Sequence, residues 1–224
     1  MPLSKGRKIL IYLLLFFFLG TINNKYIDKT QIFEIKNFKL EGLNKKEELN
    51  LLIQLDQIKN QNIFLLPKKK LVKILNSNNL IESFKINKNY PSNLDITIKK
   101  TSFIANVIYD EENFIIGANK KLIRSDSIDP SLPMVIGNAS VEDFFSIRHD
   151  ILKSLISFKD IKKLYFFPSK RWDIEFKNEV LVKLPINNSI EALDSYFRVR
   201  NLSQFNNKKV FDMRVTKQII VNEL

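Results

Sequence analysis

The sequence predicts an α+β protein: an N-terminal apolar helix, a small β–α–α–β–β module, then a mixed β-domain with flanking helices and terminal edge strands. Three observations carry that expectation. The first 24 residues hold no acidic side chain, and Lys5, Arg7 and Lys8 precede an uncharged run over residues 9–24. Beyond residue 32, helical and strand periodicities follow one another along the whole chain. Of 224 residues, 45% are hydrophobic and 27% charged, a globular balance in a chain long enough to bury a core without disulfide staples.

The uncharged run would extend about 24 Å as a helix, against a hydrocarbon core of roughly 30 Å. Lys8 and Lys25 can snorkel to the interfaces, and Tyr26 and Ile27 can extend the segment. The reading is therefore an uncleaved transmembrane signal anchor over residues 9–27, with Ile9, Leu13, Phe17 and Leu19 among its membrane residues. A cleaved signal peptide is the rival reading, but Phe18, Gly20, Thr21 and Ile22 offer no small-x-small cleavage step. The basic stub over residues 1–8 is expected in the cytoplasm and the rest of the chain on the exported side.

The first exported module is expected over residues 32–101. Phe33, Ile35, Phe38 and Leu40 alternate as a strand that stops at Glu41-Gly42, where glycine permits a sharp turn. Leu49, Leu52 and Ile53, with Leu55, suggest the buried stripe of a helix. Residues 62–66 read as a short extended piece leading to Pro67, which suits a helix start. Leu71, Ile74 and Leu75 supply the second helical stripe, ended by residues 76–79. Residues 81–89 and the alternation of Leu94, Ile96 and Ile98 make a hairpin around a turn rich in Asn, Pro and Ser. Lys68, Lys69 and Lys70 read as a solvated face, with contact to anionic lipid headgroups as the alternative.

The second module is expected over residues 103–221. Residues 103–109, 113–116 and 121–124 are strand-like, and an apolar run from Leu132 is closed by Gly137. A helix is expected over residues 141–158, with Ser140 and Asp143 as a weak capping box and Phe144, Ile147, Ile151, Leu155 and Phe158 as its buried face. Three strands follow, over residues 161–167, 172–176 and 180–184, and Asn188 and Glu191 frame another helix start. Residues 209–213 and 215–221 read as the terminal strands. Trp172, the single tryptophan, reads as a sheet-packing residue. Asp173, Asp212, Arg171 and Arg214 read as ion pairs between neighbouring strands rather than as catalysts.

Composition removes whole classes of function. Zero cysteines exclude thiol catalysis and cysteine-bound zinc, and the one histidine, His149, leaves little for acid–base chemistry or a multi-histidine metal site. Five glycines leave no Gly-rich phosphate loop or nucleophile elbow. No enzyme, cofactor, metal or small-molecule substrate is expected. The net charge of +12 suggests an anionic partner, yet 29 of the 36 basic residues are lysine. Recognition of phosphate or bases favours the planar fork of arginine, so no nucleic-acid role is read from it. Lys5, Arg7 and Lys8 orient the anchor, and the +9 that remains reads as solvated surface and codon bias.

The order of motifs resembles the FtsQ/DivIB cell-division family. A short basic stub, a signal anchor and a module ending in Tyr90-Pro91 and Leu94-x-Ile96-x-Ile98 are similar to the membrane segment and POTRA domain of that family. Leu132-Pro133 with Gly137 resembles its Leu-Pro-x-x-x-Gly segment. Lys170-Arg171-Trp172-Asp173-Ile174, the following Val182-x-Leu184-Pro185, and Val210-Phe211-Asp212-Met213-Arg214 resemble its later β-domain motifs, in a form like the alphaproteobacterial branch.

The resemblance implies a single-pass inner-membrane protein, periplasmic in its C-terminal bulk and enriched at the division septum. It implies a scaffold that links early and late septum-assembly factors and binds FtsB-like and FtsL-like bitopic coiled-coil proteins. Binding would use β-augmentation, in which an extended segment adds to a free strand edge. The expected partner-binding residues are Arg214, Val215, Lys217, Ile219 and Val221, with Lys217 also guarding the edge against aggregation. The alternative is a POTRA-type chaperone or translocation module for outer-membrane or secreted clients, which normally has repeated units and a β-barrel.

Overall fold

The computed structural model describes residues 5–22, 33–203, 208–215 and 218–222. The chain divides into two compact units: residues 1–78 with 83–99, and residues 79–82 with 100–224. Helix α1 spans Lys5–Ile22. Its side chains from Ile9 to Leu19 are all exposed, Ile9 at 61%, Leu13 at 52%, Phe17 at 64% and Leu19 at 61%. Lys5, Arg7 and Lys8 occupy its first turn, leaving roughly 21 Å of uncharged helix at 1.5 Å per residue. Among the described residues, no helix is long and apolar enough to cross a membrane. Residues 23–27 of the expected anchor lie outside the described residues.

The rest of the first unit is a three-stranded sheet with two helices. Strands β1 (Asn37–Glu41), β2 (Ile81–Asn89) and β3 (Asn93–Lys100) lie in the order β1-β3-β2, with β1 parallel to β3. Gly42 ends β1 with φ +99°, and a Cβ there would stand 1.9 Å from the Ile98 carbonyl oxygen, so only glycine fits. Helix α2 (Lys45–Leu55) starts with a full capping box: the Asn44 side chain accepts from the Glu47 amide at 2.9 Å, and the Glu47 carboxylate accepts from the Asn44 amide at 3.1 Å. Its buried residues are Leu51 and Leu55, in register with Ile58 one turn on. Leu55 is buried as expected, but the rest of the expected stripe is corrected, for Leu49 is 56% and Ile53 74% exposed. Two overlapping apolar repeats share this helix, and the one continuing into Ile58 wins because it stays covered to the end of the segment. Helix α3 (Lys68–Ser77) buries Leu71, Ile74 and Leu75 as expected. Leu94, Ile96 and Ile98 of β3 complete the core, each fully buried apolar side chain contributing about 1.5–3 kcal/mol.

The second unit is built on a nine-stranded sheet. Its strands are β4 (Phe103–Tyr109), β5 (Glu112–Gly117), β6 (Leu122–Arg124), β7 (Met134–Ile136), β8 (Ile161–Phe166), β9 (Trp172–Phe176), β10 (Leu181–Lys183), β11 (Val210–Asp212) and β12 (Ile220–Asn222). Their order is β12-β11-β10-β9-β8-β7-β4-β5-β6. Helix α4 (Val141–Lys153) and helix α5 (Ser189–Val199) bury Phe144, Ile147, Ile151, Ala192, Leu193 and Tyr196 into the same core as the sheet.

Helix α4 is shorter than expected. Ser154 caps it, donating its amide to the Asp150 carbonyl at 3.0 Å, so Leu155 is 52% exposed and Phe158 opens a separate 3₁₀ turn. Its start is stronger than expected: the Ser140 hydroxyl accepts from the Asp143 amide at 3.1 Å and donates to the Asp143 carboxylate at 2.7 Å. Helix α5 lacks a side-chain cap, because Asn188 sits at φ 62° in the left-handed region. Trp172 is buried and its ring centroid lies 4.7 Å from that of Phe166, a packing role. His149 is exposed on α4.

Candidate functional site

Register assigns each sheet residue of the second unit to a face, because side chains alternate along a strand and cross-strand partners share a side. One row runs Val107, Val135, Leu164, Ile174, Val182, Phe211, Val221 from β4 to β12. All but the last are at most 3% exposed, so this row is the core side, and Val221 closes it as a half-buried residue packed against the core. The neighbouring row, on the opposite face, runs Ile136, Tyr165, Asp173, Lys183, Asp212, Ile220. Its two ends are exposed isoleucines and its middle is a set of charged and phenolic groups.

The ion pairs of Asp173 and Asp212 run along strands, not between them as expected, whereas Glu175 of β9 pairs across to Lys162 and Lys163 of β8 at 3.0 and 3.6 Å. Arg171 donates to Asp173 at 3.2 Å, and the Arg214 guanidinium donates to both Asp212 oxygens, with Nε at 2.8 and 3.0 Å. Each pair joins residues i and i+2, which share a side of one extended segment. Lys183 stands in register between the two aspartates. The Arg214 hydrogen bonds hold the Asp212 carboxyl below its usual range, whereas burial raises that of Asp173 despite Arg171 beside it. Tyr165 donates to Glu175 at 2.6 Å, and burial followed by that carboxylate pushes its phenol up to about 12. This set braces the strands leading to the sheet edge. Among the described residues, no group of acidic or histidine side chains is arranged to hold a metal.

The edge itself is β12. Among the described residues it pairs antiparallel with β11 and has no strand on its other side. An unpaired edge presents main-chain N–H and C=O groups as a template for another segment. Beside it lies a cleft of about 280 Å³, walled by Pro185, Asn188 and Glu191 on one side and Met213, Val215 and Ile219 on the other. Val215 and Ile220, each 47% exposed, offer apolar surface next to that edge.

Residues 107–214 match the model of the family described as cell division protein FtsQ/DivIB, C-terminal. That stretch is similar to the C-terminal part of FtsQ/DivIB proteins. The matched stretch starts within β4, runs through Arg214 and stops before β12. Among solved structures, the chain is similar to the major extracytoplasmic domain of DivIB from Geobacillus stearothermophilus, as its trans isomer. That likeness has 13% identity and a TM-score of 0.36, covering 48% of this chain and 98% of the other. No curated protein matches the chain.

The residues expected to bind a partner fall into three groups. Arg214 and Val215 are exposed just after β11. Ile219 and Val221 are half-buried and packed against the core, so their side chains support the edge from the inner face. Lys217 lies outside the described residues. Sequence reading missed Ile220, whose side chain is on the outer face. The alternation of residues 219–221 was legible, but not which phase faces the core. It also missed the cleft, because Pro185 and Asn188 reach it from a separate part of the sequence.

Proposed function

We propose that this chain is a bitopic inner-membrane scaffold of cell division that performs no chemistry. In this reading residues 9–27 are the single-pass anchor, with the basic end of α1 in the cytoplasm. The first unit is a POTRA domain and the second the partner-binding β-domain, both periplasmic and concentrated at the septum. The scaffold holds FtsB-like and FtsL-like coiled-coil proteins and so links early to late septum-assembly factors.

The observation that carries the reading is the edge of β12. A partner strand adding there gains main-chain hydrogen bonds for affinity, and the cleft and exposed Ile220 read its alternate side chains. The match of residues 107–214 to the FtsQ/DivIB C-terminal model supports the division role, and the four apolar anchor positions, exposed on α1, support insertion.

The test is co-purification of the full chain with candidate bitopic coiled-coil division proteins. Ile220→Pro removes a main-chain donor from β12, and Val215→Glu puts a charge beside the cleft. Both variants are expected to keep the circular dichroism of the parent and to lose at least tenfold in partner recovery. Unchanged recovery with both would remove β12 from the site.

A further inference from the structure

We propose that the first unit docks on the surface of an anionic bilayer through the loop over residues 62–66. Phe64 and Leu65 enter the interface, and Lys68 and Lys69 meet the lipid phosphates. The inference takes from the proposed anchor only that a bilayer is within reach.

The loop is apolar where a soluble surface normally is not. Leu65 is 74% exposed, Phe64 54% and Tyr90 55%. The Tyr90 ring stacks on Phe64 at 4.5 Å and 11°, and Phe33 meets Phe64 edge-on at 5.1 Å. Aromatic clusters carrying one phenol suit the boundary between headgroups and acyl chains, where a ring is apolar at one end and wet at the other.

The loop is also held in shape. The Ile63 amide donates to the Phe33 carbonyl at 2.8 Å, the Phe64 amide to the Asn62 side chain at 2.9 Å, and the Leu66 amide to the Asn62 carbonyl at 3.0 Å. From beneath, the Lys88 ammonium donates to the Ile63 carbonyl at 2.6 Å. Docking therefore orders little that is not already fixed.

Charge identifies the surface it fits. From Gln57 to Ile81 the sequence holds five lysines and no carboxylate, and Lys68 and Lys69 are exposed at the start of α3. Lysines beside an anionic leaflet are attracted to it, and the attraction falls off within a Debye length. The exposed pair Leu49 and Ile53 on α2 shares its helix with Lys45 and Lys46 but also with Glu47 and Glu48, so that helix offers an anionic surface no net positive charge. Reach is sufficient: Phe33, itself in the ring cluster, follows Ile22 by eleven residues, which span at most about 40 Å.

The chain has no cysteine, so one introduced thiol can be labelled cleanly. Full-length Leu65→Cys, carrying an environment-sensitive dye, is placed in phosphatidylcholine nanodiscs with and without phosphatidylglycerol. Lys177→Cys, at an exposed turn, serves as the reference. The expected result is a blue shift and quenching by spin-labelled lipid at position 65 only. The effect should need phosphatidylglycerol and fall at least threefold in the Lys68→Glu, Lys69→Glu background. A water-like signal at position 65 in anionic discs overturns the proposal, as does a signal unchanged by the charge reversals. Retention through alkaline carbonate extraction reports the anchor separately. A chain that is retained while position 65 stays in water contradicts the docking surface alone.

Discussion

At the scale of single residues, Asp212 has the clearest consequence. It is 9% exposed, and its carboxyl is held below the usual 3.8 by the Arg214 guanidinium. A depressed carboxylate stabilises the fold above its unfolded value, and the contribution is lost as pH falls through the folded value. Asp212→Asn is therefore expected to cost about 1 kcal/mol at pH 7, the modest figure for a charged hydrogen bond whose partner is partly solvated. The gap from the parent should close in urea titrations as pH falls below 3.8, and a gap that persists or widens in acid contradicts the assignment. Asp173 has the opposite sign: burial raises its pKa, so its contribution is present below 3.8 and lost as pH rises through the folded value. Both aspartates were visible in the sequence as parts of short motifs. Their pairing was not, because the same four residues allow cross-strand and along-strand partners, and only the backbone positions decide between them.

At the scale of elements, Gly137 explains one of those motifs. It ends β7 with φ +101°, and a Cβ there would lie 2.3 Å from the Phe166 carbonyl oxygen, at the end of the neighbouring strand β8. Gly137→Ala is expected to destabilise the chain by about 3 kcal/mol or more through combined strain and clash. Thermal unfolding reads it, and a parent-like melting temperature would show that the β7–β8 junction relaxes. Strands and helices with one strong periodicity were legible in advance: β3, α3 and the start of α4 all bury the residues their spacing indicates. Elements with two competing periodicities were not. In α2 the expected stripe of Leu49, Leu52, Ile53 and Leu55 competes with one of Leu51, Leu55 and Ile58, and only the surrounding sheet and loop select the second. Boundaries set by local capping, such as Ser154 at the end of α4, were equally invisible to a search for apolar spacing.

At the scale of the whole molecule, the sheet of the second unit explains how its last described strand is tied to the core and yet presents an edge. One row of side chains makes a continuous core from β4 to β12, so the last strand is tied to the body through Val221 and Phe211. The next row places Ile220 outward beside an edge with no further described strand. The sequence carried the strand order poorly, since parallel contacts such as β4 with β7 and β10 with β11 join segments far apart in the chain. The identity of the edge strand follows from that order, which is why the inner and outer residues of the expected partner set could not be separated beforehand.

Hydrogen exchange of the full chain, with and without an FtsB-like partner, tests the edge most directly. Amides of residues 218–222 are expected to gain at least tenfold protection in the complex while those of β9 and β10 stay unchanged. A complex that forms without added protection at residues 218–222 would contradict the assignment of β12 as the receiving strand.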